Sequence, residues 1–362
     1  MRLKRHYSIV AHSLDVVELR HGTWNPISLT LTDASEGGHL LGVLRRLDGQ
    51  ASIKEIAAAE GIPVEDVKAL VDQLAEIHAV EEQSSNMLDY YLDHLVPNLL
   101  PYQQSHADGH RAAAILCGDP LLTEPIQQTL KACQQSDLCM VSVGDSDLQH
   151  LLRHRAAQWL SDPLMLHEDS AAFGSWQDHL LIWCSGTVHP LELQALNRLS
   201  MLLRFPVLYA AIDGPCLLVG PTVIPGRSAC FDCFSARVLM NLREAASYQR
   251  YKQALMEGRV YGAAPPIHAV LAPMLSSLTA FEAANFLLTG SNFTVNKVLS
   301  IYLPSFEFTF NEVLRLPSCP SCAPEPERDD RELFFAVQSI LTEPDASSSK
   351  RASHANQHHR SH

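Results

Sequence analysis

The sequence predicts an α/β protein in two parts: an N-terminal winged helix-turn-helix module, then a doubly wound α/β domain with a structural zinc site. Three observations predict it. Residues 1–82 read as three strands followed by three helices, and residues 111–325 alternate apolar strand runs with helices. Two C-x-x-C knuckles, Cys230-Phe-Asp-Cys233 and Cys319-Pro-Ser-Cys322, supply four thiolates, the number a closed tetrahedral zinc takes. Two unrelated pairs, or one redox dithiol, are the competing readings. The even pairing favours zinc, as does Pro320, which sits where the second knuckle needs a tight turn.

In the first module, Tyr7–His12, Val16–His21 and Ile27–Thr32 are strands. The third alternates, with Ile27, Leu29 and Leu31 on one face and Ser28, Thr30 and Thr32 on the other. Leu40–Leu47 is a helix ended by Asp48-Gly49. Ser52, with Glu55 three positions on, forms a capping box for a helix over Ile53–Glu60 that Gly61 stops. Pro63 opens a third helix, in which Val64, Val67, Leu70, Val71, Leu74 and Ile77 recur at helical spacing.

Charge decides what such a module binds. Residues 1–82 hold eight Lys/Arg against thirteen Asp/Glu, a net −5, and the would-be recognition helix begins with Glu65 and Asp66. A DNA reader needs Arg, Lys or Asn there. The acidic module suits an extended peptide instead. The peptide would add to strand Ile27–Thr32 as an edge, with Val67, Leu70, Val71 and Leu74 of the third helix as the other wall.

Residues 83–110 read as a linker with helical parts, containing Tyr90, Tyr91, Pro97 and Pro101. The α/β domain follows, with strands Ala112–Cys117, Leu138–Val143, Leu180–Cys184 and Pro206–Ile212 separated by helices through Ile126–Cys133, Leu148–Leu160 and Leu191–Leu203. Apolar strand runs of this kind belong to a buried parallel sheet. Leu217–Ile224 is a further strand turning through Pro225-Gly226 into the first knuckle. Helical stretches fill Ala236–Leu288, and strands Lys297–Ile301 and Phe306–Arg315 lead to the second knuckle. Residues 326–362 form a C-terminal extension. Its Ser/His-rich part, from about Thr342 and including His354, His358, His359 and His362, reads as a disordered, solvated tail.

The whole chain of 362 residues carries a formal net charge of −13, which argues against nucleic acid. No signal peptide opens it and no apolar run is long enough for a bilayer. Cys117, Cys133, Cys139, Cys184 and Cys216 lie mostly in apolar strand or helix contexts, as free thiols of a reducing cytoplasm do. The expected location is cytoplasmic, with no membrane partner.

A doubly wound sheet invites a nucleotide where its first strand meets its helix. Phosphate binding there wants G-x-G-x-x-G, but the turn reads Leu116-Cys-Gly-Asp-Pro-Leu-Leu122. Only Gly118 remains; Asp119 repels phosphate, and Pro120 lacks an N–H. The site reads as lost. Asp145-Ser-Asp147 with Arg153 is a weak echo of an acidic nucleotide loop, and a helix cap explains it better. No G-x-S-x-G, H-E-x-x-H or P-loop appears, and Cys216 has no assignable base, so catalytic residues are expected to be none.

The stretch Asp213-Gly-Pro-Cys-Leu-Leu-Val-Gly-Pro-Thr-Val-Ile-Pro-Gly-Arg-Ser-Ala-Cys-Phe-Asp-Cys233, with Leu314-Arg-Leu-Pro-Ser-Cys-Pro-Ser-Cys322, resembles the ThiF-like (ocin-ThiF) proteins of thiazole/oxazole-modified microcin biosynthesis. These belong to the ubiquitin-activating-enzyme-like superfamily and are partner subunits of YcaO cyclodehydratases. The resemblance covers roughly residues 1–325. It implies that the winged module is a RiPP recognition element, which captures the leader of a ribosomal precursor peptide. It further implies an ATP-dependent, azoline-forming complex acting on Cys, Ser or Thr of that peptide, with ATP bound by the YcaO partner and zinc structural in this chain. A homodimer within the larger complex is implied, with a flavin-dependent azoline oxidase as an optional partner. Activating enzymes keep ATP-binding glycines and an adenylating Arg, and neither can be assigned in this sequence. Two rival readings stay open: a ThiF-like enzyme that adenylates a peptide C-terminus, and a zinc-containing winged-helix transcription regulator.

Overall fold

The computed structural model describes residues 1–24, 28–82, 113–132, 141–143, 146–177, 179–262 and 265–323. The expected linker at 83–110, the extension at 326–362, Ile27, Cys133, Cys139 and Asp145 lie outside the described residues. The chain divides into two compact units. One is Met1–His110 with Leu130–Leu138 and Ala284–Phe293; the other comprises the remainder.

In the first unit, β2 (Tyr7–Ala11), β3 (Val16–His21) and β4 (Ser28–Thr32) form an antiparallel sheet in that order. Helices α1 (Leu40–Arg46), α2 (Ile53–Glu60) and α3 (Val64–Glu76) follow. The Ser52 capping box is present in full: its hydroxyl accepts from the Glu55 N–H, and Glu55 accepts from the Ser52 N–H at 2.8 Å. Gly61 ends α2 at φ 70°, a left-handed position that favours glycine. Sequence reading missed a small second ladder, in which β1 (Arg2–Leu3) pairs with β5 (Val80–Glu81) and ties the module's two ends together. The module's core packs Val17 and Leu19 of β3 against Val43, Leu44, Ile56, Val67, Val71 and Leu74.

The second unit is built on a seven-stranded sheet. The elements along this part of the chain are β6 (Ala113–Gly118), α4 (Pro120–Ala132), β7 (Val141–Val143), α5 (Ser146–Ser161), α6 (Pro163–Ser170), β8 (His179–Ser185), α7 (Pro190–Leu203), β9 (Val207–Asp213) and β10 (Cys216–Val223). Then come α8 (Phe231–Asn241), α9 (Ala245–Met256), α10 (Leu271–Thr289), β11 (Lys297–Tyr302) and β12 (Glu307–Glu312). Strands β7, β6, β8 and β9 are parallel neighbours in that order, a doubly wound core. The sheet as a whole is mixed, because β10, β11 and β12 extend it antiparallel from β9. Only two residues, Gly214 and Pro215, separate the paired Asp213 and Cys216, and so short a turn can only reverse the chain.

Helix α10 corrects one expectation. By length and composition it is apolar enough to cross a membrane. Yet Ser276, Thr279 and Glu282 are buried along it. The Glu282 carboxylate accepts from the Thr294 N–H and hydroxyl, each at 2.9 Å, and the Ser276 hydroxyl donates to the Leu122 carbonyl at 2.8 Å. Polar groups satisfied by other parts of the fold are what a core helix carries.

Candidate metal centre and cleft

Strand directions bring the two knuckles together. Each of β10 and β12 runs antiparallel to β11, so both finish at the same end of the sheet. β10 leads through a turn at Ile224–Ser228 to Cys230, which caps α8, and Cys233 lies in that helix's first turn. The chain after β12 delivers Cys319 and Cys322.

All four sulfurs lie within 4.8 Å of one another. Cys230 Sγ is 3.5 Å from Cys319 Sγ and 3.9 Å from Cys233 Sγ, and Cys233 Sγ is 3.5 Å from Cys322 Sγ. Tetrahedral Zn–S bonds of about 2.3 Å place sulfurs about 3.8 Å apart, close to these three separations, so the cluster suits a zinc. Burial pushes the Cys230 thiol up, with the neighbouring thiols adding to it. A divalent cation binding four thiols held this closely would convert them to thiolate ligands. Three are buried and Cys322 is half-buried, which leaves no room for a reacting group.

Outer groups hold the knuckles in place. The Leu316 N–H donates to Cys233 Sγ at 3.3 Å. Buried Asn197 accepts from the Phe231 N–H at 2.9 Å, and Asn296 accepts from the Ala229 N–H at 2.7 Å. Asp232, between the first two cysteines, accepts from Gln194 at 2.8 Å and from the Ser321 hydroxyl, which locks one knuckle to the other. Arg315 donates to the Cys322 carbonyl at 2.6 Å. Sequence reading missed all of these. Asp232 was the one with a signal, being an acid inside a cysteine knuckle.

A second site opens at the C-terminal ends of β6 and β8, where the strand order reverses. The cleft holds about 370 Å³ and is lined by Gly118, Asp119, Arg153, Trp183, His189 and Glu192 among others. Its chemistry is not that of a phosphate cradle. A Cβ on Gly118 would lie 1.7 Å from the Cys184 carbonyl oxygen, so this glycine serves the approach of two strands. Asp119 sits just before α4 and caps its start: its carboxylate accepts from the Leu121 N–H at 3.0 Å, and its carbonyl from those of Leu122 and Thr123 at 3.0 and 2.9 Å. The donors that would meet a phosphate are already taken. Burial raises the Glu192 carboxyl, against the pull of His189 and Arg153. Burial also pushes up the Cys184 thiol, leaving it inert.

The peptide-edge residues fall in two groups. Asp33 donates its N–H to the Asp15 carbonyl at 2.8 Å, so by alternation Leu31 and Leu29 bond to β3, and the backbone groups of Ser28, Thr30 and Thr32 point away from it. Leu29 and Leu31 pack half-buried on the module's core. On α3, the side chains of Val67, Val71 and Leu74 are spent inside that core, so of the four proposed wall residues Leu70 alone stays partly exposed.

No protein-family model and no curated protein matches this sequence. Solved structures do match in fold. A heterocyclase in complex with substrate and cofactor aligns with a TM-score of 0.63 at 16% identity, covering 89% of this chain and 39% of that one. The heterocyclase TruD aligns at 0.62 and 18%, covering 95% and 44%. E. coli MccB aligns at 0.51 and 13%, covering 90% and 97%. The chain therefore spans about two-fifths of the length of the heterocyclases it matches. It shares its α/β fold with both heterocyclases and with MccB.

Proposed function

We propose that this chain is the leader-binding, partner-activating subunit of an ATP-dependent, azoline-forming cyclodehydratase complex. One observation carries the reading: the fold likeness to heterocyclases runs through nearly the whole chain, yet accounts for less than half of theirs. On this reading ATP is used by a YcaO-type partner. The precursor leader adds to the outward backbone groups of Ser28, Thr30 and Thr32, beside Leu70. Zinc at Cys230, Cys233, Cys319 and Cys322 is structural, and a flavin-dependent azoline oxidase is an optional further partner.

A second reading is favoured by the likeness to E. coli MccB, a protein solved with ATP and, separately, with AMPCPP and MccA. On that reading the cleft at Gly118 adenylates a peptide. Asp119 argues against it, since its own groups fill the helix start that phosphates need.

Two measurements on the full chain separate these. Calorimetry with ATP should give no micromolar binding, and pyrophosphate exchange should be absent; either activity in the isolated chain transfers the proposal to the adenylating enzyme. Fluorescence polarisation with a labelled precursor leader should detect binding that Thr30→Pro abolishes, because proline removes an outward N–H. Leader affinity unaffected by Thr30→Pro and Leu70→Glu together would refute the recognition role.

A further inference from the structure

Helix α9 (Ala245–Met256) carries no buried residue. A helix of 12 residues is also marginal by itself in water. Its order therefore comes from the face it lays on the rest of its unit. Tyr248, Lys252 and Leu255 line that face at helical spacing, each half-buried, while Gln249, Arg250, Tyr251 and Gln253 are exposed. Leu255 packs against the main core of the unit.

The two polar anchors of that face lead to one place. The Tyr248 hydroxyl hydrogen-bonds with the side chain of Ser235, which lies just beyond Cys233 on α8. The Lys252 ammonium donates to Gln194 Oε1 at 2.7 Å, and Gln194 Nε2 donates to Asp232 Oδ1 at 2.8 Å. Asp232 lies between Cys230 and Cys233, is 7% exposed, and accepts at its other oxygen from Ser321 of the second knuckle. A side-chain amide used at both ends has one orientation only, so Gln194 passes the position of Asp232 on to Lys252. Burial holds the Lys252 ammonium below the usual lysine range, with Asp232 pulling the other way.

Residues 313–323 form neither helix nor strand, and they reach the first knuckle through the sulfurs, Ser321 and the Leu316 N–H. Sulfurs joined by a metal keep Ser321 on Asp232. Once they are unjoined the hydroxyl can leave, and a buried carboxylate loses a donor. We infer that α9 is docked by the metal centre: with zinc bound, Ser321, Asp232, Gln194 and Lys252 hold it in place, and with zinc removed it detaches while the central sheet stays folded. The inference rests on the zinc reading of the cluster, not on the leader or the complex.

The test is hydrogen exchange read by mass spectrometry on the full chain, with metal analysis of the same samples. In Cys319→Ala, held well below its melt, the amides of Ala245–Met256 should exchange roughly tenfold faster than in the parent or more, while β8 and β9 keep their protection. Gln194→Leu and Lys252→Met should speed the same amides by a similar factor with zinc still bound. Tyr251→Ala, on the exposed face, is the control and should leave exchange in α9 unchanged. Unchanged exchange of α9 in Cys319→Ala, or equal loss of protection across β8 and β9, overturns the proposal, as does an α9 indifferent to both Gln194→Leu and Lys252→Met. A parent chain that holds no zinc overturns the metal reading together with this one. Should Cys319→Ala not fold, the same comparison on the parent chain before and after a chelator decides.

Discussion

Replacing Cys319 by alanine removes one of four sulfurs from a cluster that joins distant parts of the chain. Cys230 and Cys319 are 89 positions apart and 3.5 Å apart at sulfur. A cross-link closing a loop of that size restricts the unfolded chain by about 4.6 kcal/mol at 25 °C in the chain-entropy model. Total stabilities of domains run roughly 5–15 kcal/mol, so the metal link is a large fraction. For a domain of some two hundred residues each kcal/mol moves the melting temperature by about 2–4 °C, so Cys319→Ala should melt about 9–18 °C lower. Elemental analysis should fall from about one zinc per chain to near none. Cys216→Ala, on β10 but outside the cluster, is the control and should keep its zinc. The assay is scanning calorimetry paired with metal analysis on protein purified without chelator. If Cys319→Ala retained metal and melted within about 2 °C of the parent, the cluster would not be a zinc site that holds the fold.

Asn197→Ala should leave the Phe231 N–H at the first knuckle without its partner, costing about 1–3 kcal/mol and speeding zinc loss to a chelator; unchanged release would show that Asn197 does not support the knuckle. Gly118→Ala should yield insoluble protein, because the new methyl collides with the Cys184 carbonyl at φ +126°; a soluble variant with a parental melt would contradict the packing. Ser52→Ala should cost about 1 kcal/mol in chemical denaturation followed on the first module, and no shift in midpoint would mean the capping box contributes nothing.

Local chemistry was legible in the sequence because it is decided by residues three or four apart. The Ser52–Glu55 box, the stop at Gly61, the alternation over Ser28–Thr32 and the two cysteine knuckles each contain their own reason. The absence of a G-x-G-x-x-G motif was legible too, since it depends only on the residues at Gly118-Asp119-Pro120. Tertiary structure alone decided the rest. Which apolar residues of α3 remain exposed depends on what packs against them, and Val67, Val71 and Leu74 went to the core while Leu70 did not. Nothing in the string of residues distinguishes α10 from a membrane-crossing helix until Glu282 finds Thr294. The pairing of β1 with β5, and of β10 and β12 with β11, joins segments separated by loops or whole helices. Such pairings set the parity of every backbone group at an edge. They made Thr30 an outward donor, brought two distant knuckles to one end of the sheet, and left Phe308 and Phe310 exposed on an outer strand. A sequence records which groups a chain owns; only the register of its strands settles which of them are still free.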